Sequence, residues 1–273
     1  MDRITEQQSI HRNLETKSSA ELVAAINSED KKVALEIEKS LPKIADLIEV
    51  IVSKLERGGR LFYVGAGSGG RLAVLDVIEL PTTYGIPKGM INVILAGGVE
   101  HLAEALEEEE DNIIEGWLEL KKNQVSRGDV IIGISASGTT PFVLETLKKC
   151  KEEGIVTGCI VSNPDSAIAS YSDYPIEVIT GPEFVTGSTR MKCGTAQKMI
   201  FDMISTTAMI RLNRVQDTSM IHVALINDKI TDRAVKILMK NTGIENYEDA
   251  KALLLKHGSV DKAQKAQQSV SHK

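Results

Sequence analysis

Short apolar runs alternate with longer helical patterns through the middle of the chain. Each run is apolar through most of its length, which is typical of strands that are covered on both faces. Because the segments between the runs are mostly helical, the pattern predicts an α/β fold built on a doubly wound five-stranded parallel sheet. The predicted strands are 60–65, 91–97, 129–136, 155–162 and 175–180.

Helical patterns lie before, between and after these runs. Apolar residues recur at three- and four-residue spacing over 41–59, where two glycines end the pattern, and this spacing predicts a helix. A similar apolar stripe predicts a helix over 102–120, and a long apolar helix is predicted over 189–212.

The chain is expected to divide into three parts. An N-terminal helical segment, 1–57, packs on the core, the domain that carries the sheet spans 58–215, and a small helical subdomain occupies 216–273. Gly243 and Gly258 close two helices of the last part, because glycine is favoured just beyond a helix C-terminus.

Composition and charge narrow the classes of function. The 273 residues are 42% hydrophobic and 26% charged, as in ordinary globular proteins. No apolar run approaches the roughly 18 residues of a membrane span, so we expect no membrane association. The net charge of −6, without a basic patch, argues against nucleic acid. A small anionic substrate still fits if positive charge is concentrated locally.

The cysteines and histidines do not indicate a metal site or a disulfide framework. The three cysteines and five histidines are scattered without ligand spacing. The sequence therefore predicts reduced thiols and no metal. The polar start, MDRITEQQSIHRNLETKSSAEL, lacks the apolar core of a secretory signal, so we expect a cytoplasmic protein.

A first glycine-rich loop reads GAGSGG at 65–70 and lies between a predicted strand and a predicted helix. It has the G-x-G-x-x-G spacing, but the next strand ends without the acid that a dinucleotide site uses to hold the ribose. A loop whose backbone N–H groups bind an anion or sugar hydroxyls is favoured over a dinucleotide site. A purely structural tight turn is the third interpretation.

A second loop, SASGTTP at 135–141, repeats this arrangement after the strand 129–136. Hydroxyls, free N–H groups and the positive end of a helix suit a phosphate monoester. Loops that follow neighbouring parallel strands face one crevice, so the two loops together predict a sugar-phosphate site. The hydroxyls of this loop, which gather around Gly138, are those of Ser135, Ser137, Thr139 and Thr140.

Two acidic positions could serve acid–base chemistry. Glu79 stands among apolar residues, so either its carboxyl is desolvated with a raised pKa, as suits a general acid, or it is exposed at a helix end. In the acidic run 107–111, the apolar stripe passes between Glu109 and Glu110. Periodicity alone does not choose which of these two turns inward.

The chain resembles the N-acetylmuramic acid 6-phosphate etherase family of the sugar isomerase (SIS) domain superfamily. This resemblance implies a flavodoxin-like three-layer sandwich in which 58–215 is a sugar-phosphate-binding SIS domain. The segments that carry it are INSEDKKVA, GGRLFYVGAGSGGRLAVLD, SASGTTP, SNPDS and, most specifically, GPEFVTGSTRMKCGTAQKMIFDMIST.

The family cleaves the lactyl ether of N-acetylmuramic acid 6-phosphate, which gives N-acetylglucosamine 6-phosphate and D-lactate in cell-wall recycling. The resemblance implies elimination followed by addition of water, without a metal or redox cofactor, in a homodimer. It assigns the acid to Glu79 and the base to Glu110, which resolves the choice that periodicity left open.

The resemblance also implies which groups hold the phosphorylated amino sugar. Ser135, Ser137 and Thr140 hold the phosphate, and the first loop helps through Gly67, Ser68 and Gly69. Arg190 and Lys192 supply positive charge, although a surface ion-pair role is equally expected for each of them.

The first loop departs from the family pattern GAGTSGRL. Here Ser68 replaces threonine and Gly69 replaces serine. Loss of one hydrogen bond to a charged group corresponds to roughly 1.5–3 kcal/mol. Two alternatives therefore stand beside the etherase: a phosphosugar-binding regulator without catalysis, and an aldose–ketose phosphosugar isomerase. The segment 181–198 speaks against the isomerase.

Overall fold

The computed structural model describes residues 3–104 and 106–271. The chain forms two compact units. The first comprises Met1–Val77 and Gly89–Ile204, and the second comprises Ile78–Lys88 and Ser205–Lys273. The division into three sequence domains stays a prediction.

Helices and strands alternate through the first unit, and helices dominate the second. Short 3-10 helices lie at Ile4–Glu6, Leu14–Thr16, Val99–His101 and Glu107–Asp111. The strands are β1 (Leu61–Gly65), β2 (Ile91–Leu95), β3 (Val130–Ser135), β4 (Val156–Val161), β5 (Tyr174–Glu177), β6 (Val215–Gln216) and β7 (Ser219–Met220). The α-helices are α1 (Ser19–Glu38), α2 (Leu41–Glu56), α3 (Gly67–Tyr84), α4 (Glu115–Lys122), α5 (Pro141–Glu152), α6 (Ala167–Ser170), α7 (Lys192–Arg211), α8 (Asp228–Thr242), α9 (Tyr247–His257) and α10 (Val260–Ser271).

The sheet of the first unit confirms the predicted fold class. Its five strands are all parallel, in the order β2-β1-β3-β4-β5. Every residue of β1 and β3 is buried, because helices cover both faces of the sheet. The order reverses direction at β1 and β3, which places the ends of these two strands side by side, the usual ligand position in such sheets.

Apolar side chains on the two faces of β1 anchor different helices. Phe62 belongs to a buried cluster that includes Phe142 and Leu147 of α5. Tyr63, on the opposite face, packs edge-on against Phe201 of α7 with the ring centroids 5.2 Å apart. This alternation follows from the period of two along a strand.

The helices of the second unit pack around their own apolar cluster. Leu238 of α8, Leu254 of α9 and Val260 of α10 are fully buried in it. Gly243 and Gly258 end α8 and α9 in the left-handed conformation, with φ of 74° and 77°, so the predicted C-caps are confirmed.

The continuous helix predicted over 102–120 is wrong. The acidic run forms the 3-10 helix Glu107–Asp111, and α4 begins only at Glu115. The Asn112 side chain accepts hydrogen bonds from the backbone N–H groups of Ile114 and Glu115, at 3.2 and 3.1 Å. Asparagine competes for backbone groups in this way, and repulsion among adjacent carboxylates adds to the break.

The first glycine loop turns tightly from β1 into α3. A Cβ atom on Gly70 would lie 2.9 Å from the carbonyl carbon and oxygen of Gly65 and 2.5 Å from Leu95 Cδ1. Gly67, between them, has a φ of +51°, which glycine adopts without strain. The glycines therefore allow the first turn of α3 to lie against the end of β1.

We expect Gly70→Ala to lower the free energy of unfolding by about 1–3 kcal/mol, the usual cost of overpacking. Urea denaturation measures this change. Gly128→Ala is the matched control, because its added Cβ would meet only the Ser126 hydroxyl, at 3.4 Å. The control should change stability by less than about 0.5 kcal/mol. Equal losses in the two variants would contradict the close packing of Gly70.

Candidate functional site

A polar cavity of about 290 Å³ opens at the carboxyl ends of β1 and β3. Both predicted loops contribute to it, which brings the two sequence motifs into one site. The residues that line it are Arg3, Glu6, Ala66, Gly67, Ser68, Gly69, Glu107, Glu110, Ile134, Ser135, Ala136, Ser137, Thr140, Gly187, Thr189 and Gln197.

The hydroxyl groups of the second loop are held close together. Ser135 Oγ lies 2.8 Å from Thr140 Oγ1 and 3.2 Å from Ser137 Oγ. The Ser135 hydroxyl also accepts a hydrogen bond from the backbone N–H of Gly138 at 3.0 Å. Thr140 then leads into α5, with Pro141 in its first turn. Hydroxyls gathered at a helix N-terminus suit an anionic ligand.

The Glu110 carboxylate lines the cavity and is hydrogen-bonded to this group of hydroxyls. Thr140 Oγ1 donates a hydrogen bond to Glu110 Oε1 at 2.7 Å. Since the Thr140 hydroxyl has one proton, the 2.8 Å contact with Ser135 is a bond that Ser135 donates. The result is a directed chain of hydrogen bonds from Ser135 through Thr140 to the Glu110 carboxylate. Glu109, the alternative that periodicity left open, does not line the cavity.

The first loop contributes its backbone and one hydroxyl. Gly67, Ser68 and Gly69 all line the cavity at the N-terminus of α3. Gly69 faces Ile134 and the side-chain amide of Gln197. Backbone N–H groups at this helix end are available to an anion or to sugar hydroxyls.

Gly138 and Thr139 shape the second loop without lining the cavity. Gly138 has a φ of +72°, and a Cβ there would lie 2.3 Å from the Ser166 Cβ. The Thr139 hydroxyl donates to Ser137 Oγ at 3.2 Å. Their predicted part in substrate binding stays a prediction, and the geometry gives them the role of holding Ser135 and Ser137 in place.

Lys192 is a buried ion-pair residue. Its side chain is 3% exposed, and Nζ donates a hydrogen bond to Glu29 Oε2 of α1 at 2.9 Å. It does not line the cavity, and Arg190 is exposed outside it. For Lys192 the structure thus matches the ion-pair alternative, with burial in place of the expected surface position. The substrate-binding roles of both residues stay predictions.

Glu29 collects three hydrogen-bond donors. His11 Nε2 lies 3.1 Å from Oε1, Lys32 Nζ lies 2.7 Å from the same oxygen, and Lys192 approaches the other oxygen. Burial by itself raises the pKa of the Glu29 carboxyl, but hydrogen bonds from Lys32, Lys192 and His11 outweigh it and lower the pKa to about 2. This network joins α1 to the start of α7.

Glu183 caps the same helix end. Its carboxylate accepts hydrogen bonds from the backbone N–H groups of Lys192 and Cys193, both at 2.9 Å. A carboxylate at a helix N-terminus satisfies free N–H groups and complements the helix dipole. The buried Glu183 and Glu29 therefore fix where α7 begins, and with it the position of Gln197 one turn further on.

Glu79 lies in the second unit, within α3. Its side chain is exposed, as in the second of the two interpretations that the sequence left open. The helix does not end at Glu79 but continues past Pro81 to Tyr84. The Thr82 hydroxyl donates to the Glu79 carbonyl oxygen at 3.0 Å, whereas the N–H that Pro81 lacks would have reached the carbonyl of Val77. The role of Glu79 as an acid stays a prediction.

Sequence reasoning missed several side chains that line the cavity. Arg3 is the charged group of positive sign there, whereas the sequence analysis assigned that role to Arg190 and Lys192. Gln197 carries a usable signal, because it is a polar residue within the apolar helix pattern 189–212. The polar residues missed are Arg3, Glu6, Glu107, Thr189 and Gln197.

The thiols and acidic groups show no further reactive centre in the described part of the chain. Burial raises the pKa of each of the three buried cysteine thiols to about 12. Within residues 3–104 and 106–271, no three His, Cys, Asp or Glu side chains cluster as metal ligands. None of the described helices is long and apolar enough to cross a membrane.

Two family models match the chain. Residues 43–151 match the glucokinase regulatory protein N-terminal SIS domain, and residues 115–207 match the SIS domain. The first match covers both loops that build the cavity, and the second match covers the loop 135–141 alone.

Curated relatives match almost the whole chain. An N-acetylmuramic acid 6-phosphate etherase of Porphyromonas gingivalis is 51% identical over 259 residues, 95% of this chain and 94% of that protein. A protein of the same name from Bacteroides fragilis is 49% identical over 261 residues, 96% of this chain and 92% of that protein.

A solved structure supports the fold. A phosphoheptose isomerase from Francisella tularensis superposes with a TM-score of 0.54 at 16% sequence identity. The match covers 73% of this chain and 100% of that chain. At this identity the likeness concerns the fold alone.

The Glu29 network predicts a specific loss of stability in acid. Because the folded-state pKa of about 2 lies below the ordinary 4.5, the contribution of Glu29 is complete above about pH 4.5. It is lost as the pH falls toward 2. We expect Glu29→Gln to cost about 3–5 kcal/mol at pH 7, since Lys192 becomes an uncompensated buried charge. The difference from the wild type should shrink between pH 4.5 and 2 in urea denaturation.

Glu36→Gln is the matched control for this prediction. Glu36 lies on the same helix and pairs with the exposed Lys39, so its loss should cost less than about 1 kcal/mol. Parallel stability curves for wild type and Glu29→Gln across this pH range would rule out the assigned pKa.

Proposed function

The chain belongs to the N-acetylmuramic acid 6-phosphate etherase family, and we propose that it cleaves its substrate in the polar cavity at the ends of β1 and β3. The observation that carries this proposal is the Glu110 carboxylate. It lines the same cavity as the hydroxyls of Ser135 and Ser137 and is hydrogen-bonded to Thr140 at 2.7 Å. A carboxylate beside an anion-binding loop has the composition of a site that binds a phosphosugar and moves a proton.

The phosphate is assigned to the second loop and the N-terminus of α3. Ser135 and Ser137 offer hydroxyl protons once they turn from their neighbouring hydroxyls to the phosphate, and the backbone of the first loop offers N–H groups from residues 67–69. Such donors bind a phosphate monoester through charge-assisted hydrogen bonds. Arg3 supplies positive charge at the cavity wall. Lys192 is left out of this assignment, because its ammonium group is already paired with Glu29.

Glu110 is assigned the role of base in the elimination. The proton on the carbon next to the sugar carbonyl is weakly acidic, so its removal needs a positioned carboxylate. In the unliganded protein a hydrogen bond from Thr140 holds the Glu110 carboxylate at the cavity wall. As the proton leaves, the electron pair forms a carbon–carbon double bond, and the bond from the next carbon to the lactyl oxygen breaks.

Glu79 is assigned the role of acid, on the resemblance alone. A departing lactate oxygen needs a proton, and one protonated carboxyl together with one ionised carboxylate can divide the two tasks. Addition of water across the double bond then gives N-acetylglucosamine 6-phosphate. The overall change is one molecule of water consumed and one D-lactate released.

A regulator that binds phosphosugars without turnover is the second candidate. Two observations favour it: the match of residues 43–151 to a regulatory-protein SIS domain, and Gly69 at a position that lines the cavity without a hydroxyl. It predicts binding of the phosphosugar with no release of lactate, so one assay separates the two candidates.

We expect the wild-type protein to release D-lactate from N-acetylmuramic acid 6-phosphate. Glu110→Gln should reduce kcat by at least about 100-fold, because a positioned base contributes roughly that much, while N-acetylglucosamine 6-phosphate still binds. Glu79→Gln should have a similar effect if Glu79 is the acid. An enzymatic D-lactate assay measures the rate, and calorimetry measures the binding.

Glu109→Gln is the matched control, since Glu109 is the neighbouring carboxylate outside the cavity. Its rate should stay within a few-fold of the wild type. A Glu110→Gln variant as active as Glu109→Gln would refute the assignment of the base. A wild-type protein that binds the phosphosugar without releasing lactate would establish the regulator instead.

We also propose a cytoplasmic homodimer. Three buried free thiols suit a reducing compartment. Apolar side chains on the surface of the first unit, at Ile113, Ile114 and Leu118, are about half exposed, as is typical of association surfaces. Light scattering should give twice the mass of one chain, and Leu118→Lys should shift it toward one chain. A single-chain mass for the wild-type protein at micromolar concentration would contradict the dimer.

A further inference from the structure

Gln197 is a buried polar side chain that faces the cavity. It lies in the second turn of α7, is 3% exposed, and lines the cavity beside both loops. Among residues 3–104 and 106–271, no hydrogen bond is made to its side-chain amide. Buried polar groups are almost always hydrogen-bonded. The Gln197 amide has no such partner among these residues, and its atoms are not among the fully enclosed ones, so it is open to hydrogen bonds with a ligand in the cavity.

The amide has its place because residue 69 lacks a side chain. A Cβ atom on Gly69 would lie 3.0 Å from Gln197 Oε1, 3.3 Å from Nε2 and 2.8 Å from Ile134 Cγ2. Any side chain at this position would push against the amide. Gly69 and Gln197 thus form one wall, in which the glycine backbone supplies the space and the glutamine supplies the polar group.

We propose that Gln197 binds the sugar part of the phosphosugar, through a neutral group that both donates and accepts hydrogen bonds. The amide offers Nε2 as donor and Oε1 as acceptor. A phosphate dianion accepts hydrogen bonds only, so it would leave Oε1 without a donor. A ring hydroxyl or an acetamido group satisfies both atoms. The inference rests on the proposed function, because it places the same phosphosugar in the same cavity.

The decisive variant is Gln197→Met, which keeps the length of the side chain and removes both hydrogen-bonding atoms. We expect about tenfold weaker binding of N-acetylglucosamine 6-phosphate by calorimetry, the effect of one or two lost hydrogen bonds. The thermal midpoint of the unliganded protein should stay close to that of the wild type, because the variant removes no hydrogen bond within the described residues. If Gln197 served only to stabilise the fold, Gln197→Met would instead have a lower thermal midpoint than the wild type.

Gln264→Met is the matched control. Gln264 is also buried, at 8% exposed, but lies in the second unit and does not line the cavity. Its affinity for N-acetylglucosamine 6-phosphate should equal that of the wild type. 2-Deoxyglucose 6-phosphate, which has neither the acetamido group nor a hydroxyl at that carbon, identifies the contact. A loss with both sugars assigns a hydroxyl, and a loss restricted to N-acetylglucosamine 6-phosphate assigns the acetamido group.

Gly69→Ala tests whether Gly69 and Gln197 act together in forming this wall. The added Cβ displaces the Gln197 amide, so we expect Gly69→Ala alone to weaken the binding of N-acetylglucosamine 6-phosphate. Added to Gln197→Met, the same substitution should cause a smaller further loss of affinity. Independent sites give additive effects, so additive losses would overturn the shared wall.

Unchanged affinity in Gln197→Met would overturn the proposal, provided that the wild-type protein binds the sugar phosphate. Inorganic phosphate should inhibit D-lactate release equally in the wild type and in Gln197→Met. Weaker inhibition of the variant would also overturn the proposal, because the amide would then contact phosphate. A wild-type protein that neither binds the phosphosugar nor releases lactate would instead refute the proposed function itself. The two failures are therefore distinguishable.

Discussion

The contact between Gly65 and Gly70 is the constraint on which the site depends. Because neither residue has a side chain, the first turn of α3 lies directly against the end of β1. The backbone of residues 66–69 is thereby held at the carboxyl-terminal edge of the sheet, next to the end of β3. One strand pair thus presents two loops to a single cavity, and the hydroxyls of the second loop meet the N–H groups of the first. A side chain at either glycine would separate these two sets of donors.

Much of this arrangement is predictable, because it follows from local rules. Continuous apolar runs indicate strands covered on both faces, and glycines at fixed positions indicate the turn into α3 and the ends of α8 and α9. The second loop could be recognised from the number of its hydroxyls. Local rules failed over 102–120, where the Asn112 side chain captures the backbone groups of the following turn. Hydrophobic periodicity depends on the spacing of apolar side chains. It therefore does not reveal a polar side chain that forms hydrogen bonds with backbone N–H groups in place of the helix.

What could not be predicted depends on distant partners. Lys192 is a plausible phosphate ligand by residue type, but its ammonium group is buried against Glu29, which lies 163 positions earlier in the chain. Gln197 reaches the cavity because Glu183 and Glu29 fix the start of α7, and the sequence of α7 does not contain that information. Arg3 enters the cavity from the N-terminal segment. Residue chemistry therefore indicated the class of site correctly, whereas the selection of individual side chains required the tertiary structure.

The hydrogen bond from Thr140 to Glu110 has a consequence for the order of events. Thr140 has one proton, and that proton is directed at the Glu110 carboxylate. An arriving phosphate is a second acceptor beside the same hydroxyl, and one proton cannot serve both. When Thr140 turns to the phosphate, the Glu110 carboxylate loses this hydrogen bond. The Glu110 carboxylate and a bound phosphate therefore compete for the single proton of Thr140, which couples occupancy of the cavity to the hydrogen bonding of this carboxylate.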